Sequence, residues 1–356
     1  MKVSQVLSAA GAVDAVTNQA LAWSQHFQRW GWGGEVFSAR PPVGMRRHQI
    51  RPLEDLDPTE GILLLHYSGF GRNLERLVNG SSTTLLLSHN VTPSEWFWVH
   101  EPLEGVNCKL GRDQLYELAE GANRLAGVSD YNAQELREVT GREADVIPVL
   151  FDRARLGPAS DGDRSPATSP SAVSSPTVLF VGRLAPHKRQ DLVIRAFAEY
   201  REAVPEARLV LVGHPLSPAY GRHLAELAEE LAPGGVQFED GIPQADLADR
   251  YREADAFLCL SEHEGFCIPL LEAFHFGVPV VARDTAAVGE VAGDAGILVE
   301  GDDGLGTIAH LLRIVSEDAE LAAELRARGE RRLALYDQAR TTELMRQTLE
   351  SLAAEA

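Results

Sequence analysis

The segment SEHEGFCIPLLEAFHFGVPVVA, residues 261–282, sets two carboxylates, Glu264 and Glu272, on either side of Pro269 just after the apolar run DAFLCLS. Pro269 suits the first turn of a helix, and Gly277 suits its end before another strand. Glu264 is therefore expected in the loop ahead of the helix and Glu272 in the helix's early body. Backbone amides around Gly265, Phe266 and Cys267 would point from the helix N-terminus, which favours an anion. A ligand that combines a diphosphate with several hydroxyls reconciles those amides with the two carboxylates, and a nucleotide sugar has that make-up.

A second constellation lies in VLFVGRLAPHKRQDLVIRAF, residues 178–197, where Arg183 and Lys188 follow an apolar strand and Gly182 directly. When a bond to a leaving diphosphate breaks, negative charge grows on the phosphates, and cations already in place lower that barrier. Arg and Lys both suit phosphate, Arg with bidentate geometry. Taken singly, each of these charges is more often a solvated surface feature. Their strand–loop–helix setting is what raises the functional reading.

The stretch from Glu264 through Gly265, Phe266, Cys267, Ile268 and Pro269 to Glu272 resembles the E-x7-E motif of family-4 glycosyltransferases. Residues 178–197 are similar to that family's strand–loop–helix bearing an Arg and, five residues on, a Lys. The segments LVLVGH, VQFEDGIP with Gly241 and Ile242, and AAVGEVAGDAGILVE follow in the family's order, so the resemblance spans residues 177–335. It implies a GT-B fold, α/β with two Rossmann-like domains whose parallel sheets face a cleft. It also implies a retaining transfer of a hexosyl group to an acceptor hydroxyl, with no metal and no cofactor. By the same resemblance Arg183 and Lys188 bind the diphosphate, Glu272 the ribose hydroxyls, and Glu264 with the following amides the transferred sugar. Gly182, Gly241 and Ile242 join the donor contacts. Likeness of EGFCIPLLEA to bacterial polysaccharide mannosyl- and hexosyltransferases puts GDP-mannose first as donor, with UDP-hexoses next.

In the first half, LLLSHNVTPSEWFW places His89 just past a strand, as similar enzymes place a histidine near the donor sugar. Gly11, in SAAGAVDAVTNQAL, sits at the first strand-to-helix turn, where the family often has a richer glycine loop; here Ala12, Val13 and Asp14 follow it. The loop Gly69-Phe70-Gly71-Arg72-Asn73 resembles a dinucleotide fingerprint lacking its third glycine. It could instead border the cleft and offer Arg72 to an acceptor. Trp96 and Trp98, flanking Phe97, are either ordinary packing or a wall facing a sugar or lipid.

Other pairings carry less. Asp161-Gly162-Asp163 and Asp55-Leu56-Asp57 look like paired metal-binding acids, but one lies in a Ser/Pro-rich stretch and the other in a Pro-rich turn. Cys259, His263 and Cys267 are regularly spaced, but strand, loop and helix are expected to project them in different directions, with no fourth ligand evident. Two rival functions share the fold. A sugar-nucleotide epimerase would need an acid and a base converging on the sugar, and a non-catalytic sugar-nucleotide-binding subunit would have no need of intact Glu264, Glu272, Arg183 and Lys188.

The elements that must position these residues are legible in outline. VSQVLS, ILLLHYS, TTLLLSHN and RLAGVS in the first half, then TVLFVG, RLVLVG, DAFLCLS and VPVVAR, alternate with helix-period segments, the mark of parallel α/β sheets. At 356 residues two domains are the natural prior. The expected division is an acceptor-side domain over 1–155, a linker over 156–176, a nucleotide-sugar-binding domain over 177–335, and a helix over 336–356 packing back on the first domain. A net charge of −19 disfavours nucleic acid and anionic lipid as partners. Acids outnumber Lys and Arg by 18 to 13 in residues 1–150 and by 34 to 20 beyond, so the cations in the later motifs stand out. The expected partners are a nucleoside diphosphate sugar and a sugar, lipid-linked or small-molecule acceptor. The start MKVSQVLSAAGAVDAV reads as strand and helix rather than a signal peptide, no apolar run is long enough to span a membrane, and three cysteines suit reduced thiols. A cytoplasmic location follows as an expectation.

Overall fold

The computed structural model describes residues 1–11, 14–41, 49–80, 82–159, 175–301 and 303–355. Ala12, Val13, most of the Ser/Pro-rich stretch and the Asp161–Asp163 pair lie outside the described residues. The chain divides into two compact units, one of residues 1–98, 102–150 and 336–356, the other of 99–101 and 151–335.

The first unit is a seven-stranded, wholly parallel sheet. Its strands are β1 Val3–Leu7, β2 Val36–Ser38, β3 Arg51–Pro52, β4 Ile62–Tyr67, β5 Thr83–Ser88, β6 Arg124–Gly127 and β7 Asp145–Val146. They stand in the order β3-β2-β1-β4-β5-β6-β7. Strands covered by helices on both faces read as unbroken apolar runs, and Leu63, Leu64, Leu65, Leu85, Leu86 and Leu87 are all buried. The helix Ala15–Arg29 begins at Asp14, whose carboxylate accepts from the amide and hydroxyl of Thr17, both at 2.7 Å. The last helix, Gln338–Glu355, belongs to this unit; it buries Met345, Leu349 and Leu352 and sets Arg346 over the Trp30 ring.

The second unit is a six-stranded parallel sheet of β8 Thr177–Val181, β9 Arg208–Val212, β10 Val236–Glu239, β11 Ala256–Cys259, β12 Val280–Arg283 and β13 Gly296–Val299. Its order is β10-β9-β8-β11-β12-β13, the doubly wound arrangement in which successive strands are added to one side of β8 and then, from β11, to the other. Val178, Phe180, Leu209, Leu211 and Leu258 form its core with Ile194 and Phe197 of the helix Gln190–Ala203 and with Leu312. The unit begins at Phe151, earlier than the sequence suggests. Arg153, in the short helix Arg153–Leu156, forms a bidentate pair with Glu330 at 2.9 and 3.0 Å and donates to His275 Nδ1 at 3.2 Å, which ties this turn to two helices of the second unit.

Candidate functional site

In open parallel sheets, ligands bind beyond the carboxyl ends of the strands where the order reverses, because the loops there diverge and leave a crevice. In the second unit that place lies between β8 and β11. The loop after β8 carries Gly182, Arg183 and Lys188; the loop after β11 carries Ser261, Glu264 and the helix Ile268–His275.

The backbone at the end of β8 is tightly determined. Gly182 has φ +152°, and a side-chain carbon on Gly213, at φ +156°, would lie 1.9 Å from the Gly182 carbonyl oxygen. The ends of the paired strands β8 and β9 thus approach so closely that only glycine fits after β9. Lys188 ends a single 3-10 turn, Pro186–Lys188, and its ammonium lies 2.6 Å from Glu264 Oε1, which also accepts from the Ser261 hydroxyl at 2.8 Å. Burial, the largest single influence, pulls the Lys188 ammonium down, but the Glu264 carboxylate together with the neighbouring Cys267 and Cys259 holds the group above its ordinary value. Arg183 is exposed, and its side chain has no ion-pair partner among the described residues. Its carbonyl accepts from Gln190 Nε2 at 3.1 Å.

The loops are braced from below by ion pairs. Arg189, at φ +50°, donates to both oxygens of Asp191 at 3.0 Å and to Glu262 at 3.0 Å, and Glu262 also pairs with the buried Arg283 at the end of β12. Three loop bases are thereby joined. Cys267 caps the helix Ile268–His275 in the left-handed region, at φ +74°. A non-glycine residue held there costs about 1–3 kcal/mol, and such strain gathers at ligand sites. In the helix's first turn Pro269 has no N–H and Leu270 donates to the Cys267 carbonyl at 3.1 Å, which leaves the Ile268 amide, among the described residues, as the first-turn donor for an anion. Glu272, on the same helix, accepts from the Tyr251 hydroxyl at 2.7 Å; burial raises its pKa and this hydrogen bond lowers it, with burial the larger.

The cysteine expectation needs correction. Cys259 and Cys267 do not project apart: their sulfurs lie 3.9 Å from each other, because the left-handed turn at Cys267 brings its side chain back over the end of β11. With Glu264 they form a group whose ligand atoms lie within 4.8 Å of one another. His263 is not part of it. The Cys267 thiol, hydrogen-bonded with Cys259 and buried, is held well above its usual value, so it is a poor metal ligand in this state.

Of the remaining donor-side residues, Gly241, exposed at φ +64°, and the half-buried Ile242 lie on the loop after the edge strand β10, two strands from β8.

In the first unit, Gly11 follows β1 and its amide donates to Thr17 Oγ1 at 3.1 Å. His89 directly follows β5 and its Nε2 lies 2.9 Å from His66 Nδ1, while burial takes its pKa down to about 3. The Gly69–Asn73 loop is a structural clasp. Gln114 holds Gly71 through both its amide and carbonyl, at 3.0 and 2.7 Å, and a side-chain carbon on Gly71 would meet Leu74 at 2.5 Å. Arg72 projects from this loop, exposed. Trp96 is half-buried; Trp98 is 45% exposed and lies against Gly105, where a side-chain carbon would sit 2.8 Å from its ring. Sequence reasoning missed Tyr251, Ser261, His66 and Gln5. The last two were marked only by being polar within strands that are mostly apolar.

Comparison with known proteins agrees with this architecture. Residues 162–332 match the family model described as Glycosyl transferases group 1. A D-inositol 3-phosphate glycosyltransferase of Rhodococcus erythropolis is 32% identical over 228 residues, covering 61% of this chain and 51% of that protein. The chain spans about half the length of the curated relatives it matches. Among solved structures it is similar to a sucrose-phosphate synthase from Thermosynechococcus elongatus, with TM-score 0.75, 19% identity and both chains fully covered. It is also similar to Anabaena HepE in complex with UDP and glucose, with TM-score 0.68, 18% identity, and 99% and 100% of the two chains covered. The fold is GT-B, two Rossmann-like α/β domains with parallel sheets. Among the described residues no helix is long and apolar enough to cross a membrane.

Proposed function

We propose that this chain is a retaining glycosyltransferase that moves a hexosyl group from a nucleoside diphosphate sugar to an acceptor hydroxyl without a metal ion. The observation that carries the reading is the meeting of Lys188, Glu264 and the N-terminus of the helix Ile268–His275 beside Arg183 at the sheet's reversal point. The match to group 1 glycosyl transferases and the names of the relatives support it. UDP-hexoses and GDP-mannose are the candidate donors, with UDP-glucose favoured by the ligand named for HepE. Acceptors in reach of the reading are a sugar, a lipid-linked sugar or a small polyol, the last favoured by the inositol phosphate in the relatives' names. Three cysteines that form no disulfide among the described residues suit a cytoplasmic setting.

The chemistry follows from the charges. Arg183 and Lys188 take the diphosphate and offset its growing charge as the glycosidic bond breaks. Lys188 has three donors, so it can hold Glu264 and a phosphate oxygen together. Glu272, steadied by Tyr251, accepts from ribose hydroxyls. Glu264, already receiving Lys188 and Ser261, is too well neutralised to attack carbon and instead orients sugar hydroxyls. The departing diphosphate itself helps to deprotonate the acceptor on the same face, which keeps the anomeric configuration without a glycosyl-enzyme adduct. His89, neutral near pH 7, contacts the sugar and does not act as nucleophile; a neutral imidazole also disfavours the epimerase alternative, which needs a protonated acid.

The test is to supply α-linked donors and candidate acceptors in excess EDTA and to assign the product's anomeric proton by NMR. An α product formed at undiminished rate is expected. A β product would overturn retention, and activity restored only by a divalent ion would overturn the metal-free reading.

A further inference from the structure

A run of buried polar side chains in the first unit reaches His89 and has one consistent set of proton positions. Gln5, buried on β1, donates through Nε2 to the Ala20 carbonyl at 2.9 Å and to the Ser24 hydroxyl at 2.8 Å. A carbonyl oxygen can only accept, so the amide cannot be reversed and Oε1 is the atom facing His66 Nε2, at 2.8 Å. That ring nitrogen must carry a proton. His66 is 1% exposed, and burial together with the neighbouring His89 holds its pKa well below the ordinary value, so the ring is neutral and Nδ1 is a bare lone pair. His89 Nε2, 2.9 Å from that lone pair, is therefore the N–H. Its own Nδ1 is left as an acceptor and makes no hydrogen bond among the described residues.

We propose that Gln5 and His66 are positioning residues that lock His89 in the Nε2–H tautomer, so that Nδ1 is an obligate acceptor for a hydroxyl of the transferred sugar. The sugar half of this inference rests on the donor reading above; the tautomer half does not. The arrangement works by specificity. A hydroxyl can donate to Nδ1, whereas hydrogen or fluorine at the same sugar position cannot, and leaving the site's acceptor unpaired penalises such a donor.

Long-range 15N–1H correlation spectra of the ligand-free, 15N-labelled full chain read the tautomer directly, with the His89 signal identified by its loss in His89→Gln. The pure Nε2–H pattern is expected at neutral pH; an Nδ1–H pattern or a mixture would overturn the proposal. His66→Leu should release His89 into a mixture and lower kcat/KM about tenfold, the worth of one hydrogen bond, while leaving nucleoside diphosphate Kd unchanged. His66→Asn, whose amide oxygen can stand where Nδ1 stood, should restore both the pattern and the rate. A His66→Leu enzyme with the wild-type pattern and rate would contradict the relay. If His66→Leu fails to fold, the wild-type spectrum still decides the tautomer. Absence of nucleoside diphosphate binding, with the tautomer as derived, would instead overturn the donor reading and the sugar half with it.

Discussion

Arg183 and Lys188 are assigned the same ligand, yet the structure gives them different private lives. Arg183 is exposed and unpaired among the described residues, so Arg183→Ala should lower kcat by roughly 100-fold and shift stability by less than about 0.5 kcal/mol. Lys188 is one half of a largely buried pair with Glu264. Lys188→Ala should cost similar activity and also about 3 kcal/mol of stability, because a carboxylate is stranded. Paired kinetics and urea titrations of the two variants check the contrast. Tyr251→Phe should weaken nucleoside diphosphate binding about tenfold through loss of the Glu272 hydrogen bond, with kcat at saturation nearly unchanged; calorimetric titration and saturation kinetics read it. At this scale the charged residues were legible because each sits at a strand end next to a glycine or a helix start. Their partners were not. Tyr251 comes from a helix before β11, and Gln5 and His66 meet across two strands, pairings that depend on strand order and leave no trace in local spacing.

Among the elements, the strongly apolar strands were readable from their composition, since a parallel strand buried on both faces needs unbroken aliphatic side chains. The strands β2, β3 and β7 were not, being three, two and two residues long, too short for any period to show. The left-handed turn at Cys267 was equally hidden: nothing in a cysteine announces a positive φ, and it is this turn that brings Cys267 back to Cys259. The close approach of the β8 and β9 ends was hinted by VG closing both apolar runs. Gly213→Ala would drive a carbon into the Gly182 carbonyl and must displace the backbone that carries Arg183. A loss of at least about 2 kcal/mol is expected, together with weaker nucleotide binding; a variant of wild-type thermal stability and affinity would show that the close approach is dispensable.

For the whole molecule, two α/β units of parallel sheet were foreseeable from chain length and alternation, whereas the boundary at Phe151, just ahead of the Arg153–Glu330 pair, leaves no local mark in the sequence. Global stability carries a pH signature from the buried histidines. His66, His89 and His187 all have pKa values lowered by burial from an ordinary 6.5. Above that value they are neutral in both states. As pH falls below it the unfolded chain gains protons that the folded chain does not, so stability declines by up to about 1.4 kcal/mol per pH unit for each histidine. For His89 the decline continues to about pH 3. Urea midpoints should therefore drop between about pH 7.5 and about pH 5.5, and the drop should shrink in a folded His66 variant.

The central claim is that the reversal point of the second sheet is a nucleoside diphosphate site whose cations are Arg183 and Lys188. Isothermal titration of UDP and GDP into the full chain, with EDTA present, tests it most directly when repeated on Arg183→Ala, the variant expected to leave the fold intact. One site per chain, with affinity at least tenfold weaker in the variant, is the predicted result; equal affinity in both proteins, or binding only after a divalent ion is added, would contradict it.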